Sequence, residues 1–279
     1  EEILKHKIDC IFVSGGGSII DFVKNIFFEA KRKSKLPISF YIIPSRIGSG
    51  AEASIASIFN TKKEKIIKTN QNFLPDGIIY DLDFLCKLDK NQILLGSIDS
   101  ITHCIESLCS FNKNPYLDFF SPSVINYFLR RIKVKDLISN KDYPKNILVE
   151  FCILSYNGGI AQNNAGSGIC HALAHSAEKI TGLPHNMCIS FFILPTLNYI
   201  NKTDTQIMNK FDRNLAKTLK IILKHLNKKL DFSKIEKIIS EDSKLNKLIE
   251  TAKDDPCWRL FGKTVNVNYL KNAIKKNYL

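Results

Sequence analysis

Asp99-Ser100-Ile101-Thr102-His103 and His171-Ala172-Leu173-Ala174-His175, the second followed by Pro184-His185, are the stretches on which the reading of this chain turns. Within each pentapeptide the outer residues are spaced i,i+4, so on a helix both point from one face about one turn apart. Two such pairs facing one another can close a metal cage. A carboxylate with imidazoles suits Fe(II) or Zn(II), and both Asp and neutral His are available in the deprotonated form at neutral pH. A single His at helical spacing is ordinarily a hydrogen-bonded core or surface residue. The chain has six His, however, and only His6 and His225 lie outside the segments carrying His103, His171, His175 and His185.

Upstream of these segments the pattern is of strands alternating with turns. Residues 9–14 form a short apolar run of strand type, ended by Gly15-Gly16-Gly17-Ser18, and residues 19–33 have helical periodicity. Without side chains the glycines let the backbone approach a ligand closely, and the helix start beyond them offers unpaired N–H groups and a favourable dipole to a phosphate. A tight structural turn requires glycine equally, and the spacing is not that of a GxGxxG fingerprint. Residues 37–43 are a second buried strand, followed by Pro44-Ser45-Arg46-Ile47-Gly48-Ser49-Gly50-Ala51-Glu52. Small hydroxyls and bare backbone N–H groups suit a loop around phosphates, because they donate hydrogen bonds without filling a cleft. Arg46 could reach a phosphate or a substrate carboxylate, or project to solvent. Residues 54–59 and 65–68 are expected to pair across the charged turn 61–64, and residues 74–81 to supply another strand.

Beyond residue 91 the periodicity is helical almost without break. Helices are expected over residues 92–111, which carry Asp99, His103 and Glu106, and over 117–132 and 145–158. Gly158-Gly159 and the stretch 163–168 are read as flanking a short helix before the one bearing His171 and His175. His185 opens an apolar helix through residue 192, and Lys-rich outer helices are expected over 205–226, 232–240 and 243–252. Asp255-Pro256 begins a tail that ends in a helix over 269–278.

The segment Asp99-Ser-Ile-Thr-His103-Cys-Ile-Glu106-Ser resembles the DALTHAIEAY-type segment of the iron-containing alcohol dehydrogenase family. Gly168-Ile-Cys-His171-Ala-Leu-Ala-His175 with Leu183-Pro184-His185 resembles its GxxHAxAH…PHG segment, with Asn186 in place of the usual Gly. The string Gly15-Gly16-Gly17-Ser18-Ile-Ile-Asp21-Phe-Val-Lys24 resembles the family's GGGSxxDxAK, and residues 44–52 resemble its PTTAGTGSE, with Arg46 and Ala51 at positions that usually hold Thr and Ser. The resemblance implies four metal ligands, Asp99, His103, His171 and His185, for Fe(II) or Zn(II). It places His175 beside a nicotinamide, in proton transfer. It implies contacts to NAD or NADP from Gly15, Gly16, Gly17, Ser18, Asp21, Ser45, Arg46, Ser49 and Lys65. The fold implied is an α/β dinucleotide-binding domain, residues 1–86, followed by an all-helical metal-binding and catalytic domain, residues 87–279. The family ordinarily has several strands and helices ahead of its GGGS turn, so this chain is expected to lack that N-terminal segment. The activity implied is hydride transfer between a nicotinamide and a small alcohol or aldehyde, in a homodimer or other homo-oligomer. A dehydroquinate synthase-like lyase or cyclase shares the fold and metal placement, and a truncated, non-catalytic metal-binding remnant is the other alternative.

Composition is compatible with this reading. At 279 residues the chain can bury two cores. Its eight Cys are scattered without a CxxC pair, which points to free thiols in a reducing compartment such as the cytoplasm. The most apolar stretch, 187–194, is too short to span a bilayer and is expected to stop at Pro195. The net charge of +13 is spread over helical faces such as Lys217, Lys220, Lys224 and Lys228. Aromatic residues do not interleave with these lysines, so a nucleic-acid platform is not expected, whereas an anionic cofactor or substrate is compatible.

Overall fold

The computed structural model describes residues 2–33, 37–60, 65–139 and 143–278. A short helix α1 (Glu2–Lys5) leads into β1 (Cys10–Gly15), α2 (Gly17–Lys33) and β2 (Ser39–Pro44). After an antiparallel pair, β3 (Ala56–Asn60) and β4 (Lys65–Thr69), the chain returns as β5 (Gly77–Ile78). The main sheet has the order β1-β2-β5 and is parallel throughout. Parallel neighbours cannot be joined by a tight turn, and α2 is the crossover between β1 and β2. Alternate residues of β2 are buried, including Phe40 and Ile42. These residues and Val13 of β1 are covered by Ile20, Phe27 and Ala30 of α2. Phe27 stacks on Phe40 with ring centroids 4.6 Å apart.

The strand expected over residues 74–81 is only the two-residue β5. Pro75 has no N–H to donate to a ladder, and the Asp76 carboxylate itself accepts the Phe40 N–H at 2.8 Å. The turn expected over 61–64 lies outside the described residues.

From residue 82 onward the chain is helical. Its elements are α3 (Leu82–Leu85), α4 (Lys90–Cys109), α5 (Pro115–Arg131), α6 (Val134–Ser139), α7 (Lys145–Ala165), α8 (Ile169–Thr181), α9 (His185–Thr203), α10 (Thr205–Met208), α11 (Leu215–Leu226), α12 (Ser233–Ile239), α13 (Asp242–Lys253), α14 (Pro256–Leu260) and α15 (Val267–Tyr278). The centre of this part is α4. Asp89 caps it by accepting the Asn91 N–H, and every residue from Ile93 to Cys109 is buried. It packs against α5, α7 and α9, and more lightly against α8. A helix buried on all sides has no polar face to spare, so its acidic and imidazole groups must find partners inside the protein. The lysines of α11 and of the turn after it follow the opposite pattern. Lys217, Lys220, Lys224 and Lys228 are exposed while Leu215, Leu219, Ile222 and Leu226 are buried.

Three boundaries differ from the sequence expectation, and three short helices are additional to it. The helix expected to end at Gly158 runs on to Ala165, because Gly158 and Gly159 serve close packing and not chain reversal. A Cβ on Gly159 would lie 2.4 Å from the Gly50 carbonyl oxygen. Second, α9 continues through Pro195 to Thr203. Proline cannot donate to the carbonyl four residues back, and the Tyr278 hydroxyl donates to that Phe191 carbonyl instead. Third, the helix expected over 205–226 is broken between Met208 and Leu215. There Asn126 of α5 accepts the Asp212 N–H at 2.8 Å and donates to the Lys210 carbonyl at 3.3 Å. The additional helices are α3, α6 and α14. Among the described residues no helix is long and apolar enough to cross a membrane.

Candidate metal centre and phosphate loop

The two i,i+4 pairs lie on the elements anticipated for them, Asp99 and His103 on α4 and His171 and His175 on α8. Asp99, His103 and His171 are all buried, and each offers one ligand atom within 4.8 Å of the others. Asp99 Oδ1 is 3.3 Å from His171 Nε2 and 3.7 Å from His103 Nε2. The two imidazoles stack with centroids 4.5 Å apart. His185, at the start of α9, is not part of this tight group. Its ring centroid is 5.6 Å from that of His171 and its Nδ1 is 3.5 Å from a Glu178 carboxylate oxygen. His175 is further along, 6.1 Å from His171 between centroids, and its Nδ1 is hydrogen-bonded to Asp255 Oδ2 at 2.9 Å.

Whether these residues suit a divalent cation is decided by their unsatisfied atoms. Buried polar atoms are normally hydrogen-bonded, and each exception requires an explanation. Asp99 Oδ1 and His171 Nε2, 3.3 Å apart, are both buried without a hydrogen-bond partner; His103 presents Nε2 to Asp99, and its other nitrogen, Nδ1, is also buried without one. One carboxylate and two imidazoles with unused lone pairs, gathered in one place, form a donor set for Fe(II) or Zn(II).

Glu106 orients the group. It sits one turn beyond His103 on α4, and its Oε2 lies 2.5 Å from His171 Nδ1. The same carboxylate accepts the N–H groups of Gly168 at 2.8 Å and Cys170 at 2.6 Å, which belong to the start of α8. A proton on Nδ1 shared with Glu106 leaves Nε2, the nitrogen facing Asp99, as the lone-pair donor. Sequence reading quoted Glu106 without giving it a role.

Charge in the ion-free chain follows from the same contacts. Burial pushes the Asp99 carboxyl up, but the surrounding imidazoles outweigh it and hold the group below the ordinary carboxylate range. Burial holds His103 well below the ordinary imidazole value, against the pull of Asp99. Burial also opposes charge on His171, yet Glu106 and Asp99 more than offset it and its pKa is raised.

The glycine turn and the loop after β2 lie side by side. Gly15 ends β1, Gly17 and Ser18 open α2, and the Ser45 N–H donates to the Gly15 carbonyl at 2.9 Å. Arg46 is exposed, and the stem of its side chain passes over Gly16, where a Cβ would lie 3.4 Å from Arg46 Cδ. Ser49 Oγ faces Gly17, whose added Cβ would be 3.1 Å away. Asp21 points the other way. Its Oδ2 accepts the Ile58 N–H at 3.0 Å, and burial pushes its carboxyl up to about 6 against the pull of Lys24. Lys24 is fully buried, with Nζ on the carbonyls of Ala51, Ser54 and Ala56 at 2.5, 2.7 and 2.9 Å. The Lys65 side chain lies outside the described residues.

This loop is seated directly on the helices that carry the cation group. Gly48, at φ +123°, touches Gly96 on α4 so closely that a Cβ would meet the Gly96 Cα at 2.2 Å. Its N–H donates to Ser155 Oγ at 2.9 Å and its carbonyl accepts from Ser100 Oγ at 3.0 Å. Glu52 closes the seat, accepting from Ser155 at 2.9 Å and Tyr80 at 2.7 Å. Ser100 follows Asp99 in sequence, so the loop after β2 and the Asp99 group share one backbone turn of α4.

Two family models match this chain. Residues 1–82 match the family model for iron-containing alcohol dehydrogenase, and residues 93–254 match the model for the C-terminal part of the Fe-containing alcohol dehydrogenase family. An alcohol dehydrogenase from Thermococcus barophilus is 24% identical over 305 residues, covering 99% of this chain and 79% of that protein. A 4-hydroxybutyrate dehydrogenase from Clostridium kluyveri is 26% identical over 75% of this chain and 60% of its own length, so this match spans less than two thirds of that relative. The structure of an iron-containing alcohol dehydrogenase from Thermococcus thioreducens superposes with a TM-score of 0.77 at 21% identity, over 99% of this chain and 79% of that one. At that identity the likeness is one of fold.

Proposed function

The chain belongs to the iron-containing alcohol dehydrogenase family, and from that premise we propose that it is a metal-dependent, NAD(P)-linked oxidoreductase acting on a small alcohol or aldehyde. The observation that carries this reading is the buried group of Asp99, His103 and His171, with Asp99 Oδ1 and His171 Nε2 left unpartnered 3.3 Å apart, beside a glycine loop suited to a dinucleotide phosphate. When bound, a divalent ion supplies Lewis acidity toward the carbonyl oxygen and the nicotinamide supplies the hydride.

The chain's own residues do the rest. Asp99, His103 and His171 hold the ion, with His185 as the fourth ligand, and Glu106 keeps Nε2 of His171 turned toward it. His175 passes the proton at Nε2, because its Nδ1 is held by Asp255. Gly15 to Ser18, with Ser45, Arg46, Ser49 and Lys65, receive the cofactor phosphates at the start of α2. Asp21 acts by fixing α2 against β3. In this reading residues 1–86 are the nucleotide-binding domain and residues 87–279 the metal-binding one. The basic surface and Arg46 favour an anionic aldehyde.

The test is an anaerobic aldehyde panel with Fe(II)-loaded protein and both NADH and NADPH, run alongside two variants. His171→Ala is expected to lose metal and activity together. His175→Ala keeps its metal and loses ~100- to 10,000-fold in turnover, the usual range for a proton-transfer group. Loss of metal from the His175 variant would show that the two imidazoles have been given each other's roles. Failure to bind either nicotinamide would favour a non-catalytic remnant.

A further inference from the structure

A second group of ligand-type side chains adjoins the first. His175 on α8, Asp255 at the N-cap of α14 and Cys257 in its first turn each offer one ligand atom within 4.8 Å of the others. The turn Asp255-Pro256-Cys257 is fixed by its own cap, since Asp255 Oδ1 accepts the Cys257 N–H at 2.8 Å. That leaves Oδ2 for His175 Nδ1, at 2.9 Å. The His175 and Asp255 side chains are 12% and 16% exposed, so the group is screened from bulk water yet open to an ion from solution. No other thiol among the described residues belongs to such a cluster.

We infer that His175, Asp255 and Cys257 form a second cation site, selective for a borderline-soft divalent ion of the zinc class, whose occupation disables the imidazole of His175. The donor set explains the selectivity. Imidazole, carboxylate and thiolate together suit Zn(II) or Co(II), whereas Mg(II) and Ca(II) require oxygen donors. Around a tetrahedral zinc these atoms stand ~3.3–3.6 Å apart on ordinary bond lengths. The His175–Asp255 pair at 2.9 Å therefore opens by a few tenths of an ångström to admit the ion. Cys257 gives its proton to solvent as the sulfur binds. The Asp99 group contains no sulfur, so the two sites differ in chemistry although they share α8. Zinc beyond the amount filling the first site then inhibits by occupying the proton-passing residue. This last consequence rests on the role proposed for His175, but the existence of the site does not.

Cobalt separates the two questions. Co(II) is titrated anaerobically into the metal-loaded protein while near-ultraviolet absorption and bound metal are followed. Thiolate-to-cobalt charge transfer can arise only from a sulfur ligand, so the band is expected on occupation of the second site. It is expected to persist in His171→Ala, which has lost the first site, and to vanish in Cys257→Ser, which still binds metal at the Asp99 group. Zinc is expected to bleach it. No band in the wild-type protein at saturating Co(II), or a band of full strength in Cys257→Ser, overturns the site. In the activity assay Cys257→Ser is expected to need at least tenfold more zinc for half inhibition than wild type. Equal sensitivity overturns the inhibitory role.

Discussion

Replacing Glu106 with Gln changes one atom of a buried carboxylate that makes three hydrogen-bonding contacts. Glu106 Oε2 takes the Gly168 N–H and His171 Nδ1, while Oε1 takes the Cys170 N–H. Glutamine has one oxygen. With its carbonyl on the two-donor side, its amide NH2 meets the Cys170 N–H, donor against donor. Stranding one buried N–H costs ~1–3 kcal/mol, and at ~2–4 °C per kcal/mol for a chain of this size the ion-free Tm falls by ~2–12 °C. The second effect is on the ion. His171 loses the negative partner that fixes its orientation and basicity, a change that ordinarily weakens metal binding ~10- to 100-fold, or ~1.4–2.7 kcal/mol. Competition against a chromophoric chelator measures the affinity and calorimetry measures the Tm. A lower Tm with unchanged affinity would reduce Glu106 to a cap for α8, and no change in either would refute the contacts themselves.

Two other substitutions test the packing that brings loop and helices together. Gly159→Ala places a Cβ 2.4 Å from the Gly50 carbonyl oxygen, backbone that cannot step aside. A loss of ~1–3 kcal/mol is expected from overpacking alone, with weakened nicotinamide binding as the loop after β2 is pushed off α7; a wild-type melting curve would contradict it. Tyr278→Phe removes the donor to the carbonyl freed by Pro195. It is expected to cost ~1–3 kcal/mol by calorimetry and to leave metal affinity unchanged, so a change in affinity would mean that the α9–α15 contact reaches the site.

Much of the site could be read from spacing because helices convert spacing into geometry. Asp99 and His103 on one turn, and His171 and His175 on another, needed only the 3.6-residue period. Glu106 was within reach of the same logic. It continues the face at i+7 from Asp99, and an acid in so apolar a helix requires a buried partner. Asp255 and Cys257 carried no such signal. The pair His175–Asp255 spans 80 residues, and the only local hint was a cap followed by proline, which reads as a helix start and nothing more. Gly158-Gly159 and Pro195 misled for another reason. Glycine and proline mark turns when the chain must turn, but glycine also lets two backbones touch, and a proline is tolerated where another side chain takes the freed carbonyl. Those alternatives depend on Gly50 and Tyr278, distant residues that no local window contains.

The account stands on the convergence of residues from α4, α8 and α9 on one divalent ion. Anomalous diffraction at the iron edge, from crystals grown without oxygen in the presence of Fe(II), tests it directly. A single strong peak is predicted within bonding distance of Asp99, His103 and His171, with His185 swung in as the fourth ligand. Iron bound elsewhere, or the three side chains left unligated in the presence of saturating Fe(II), would contradict it.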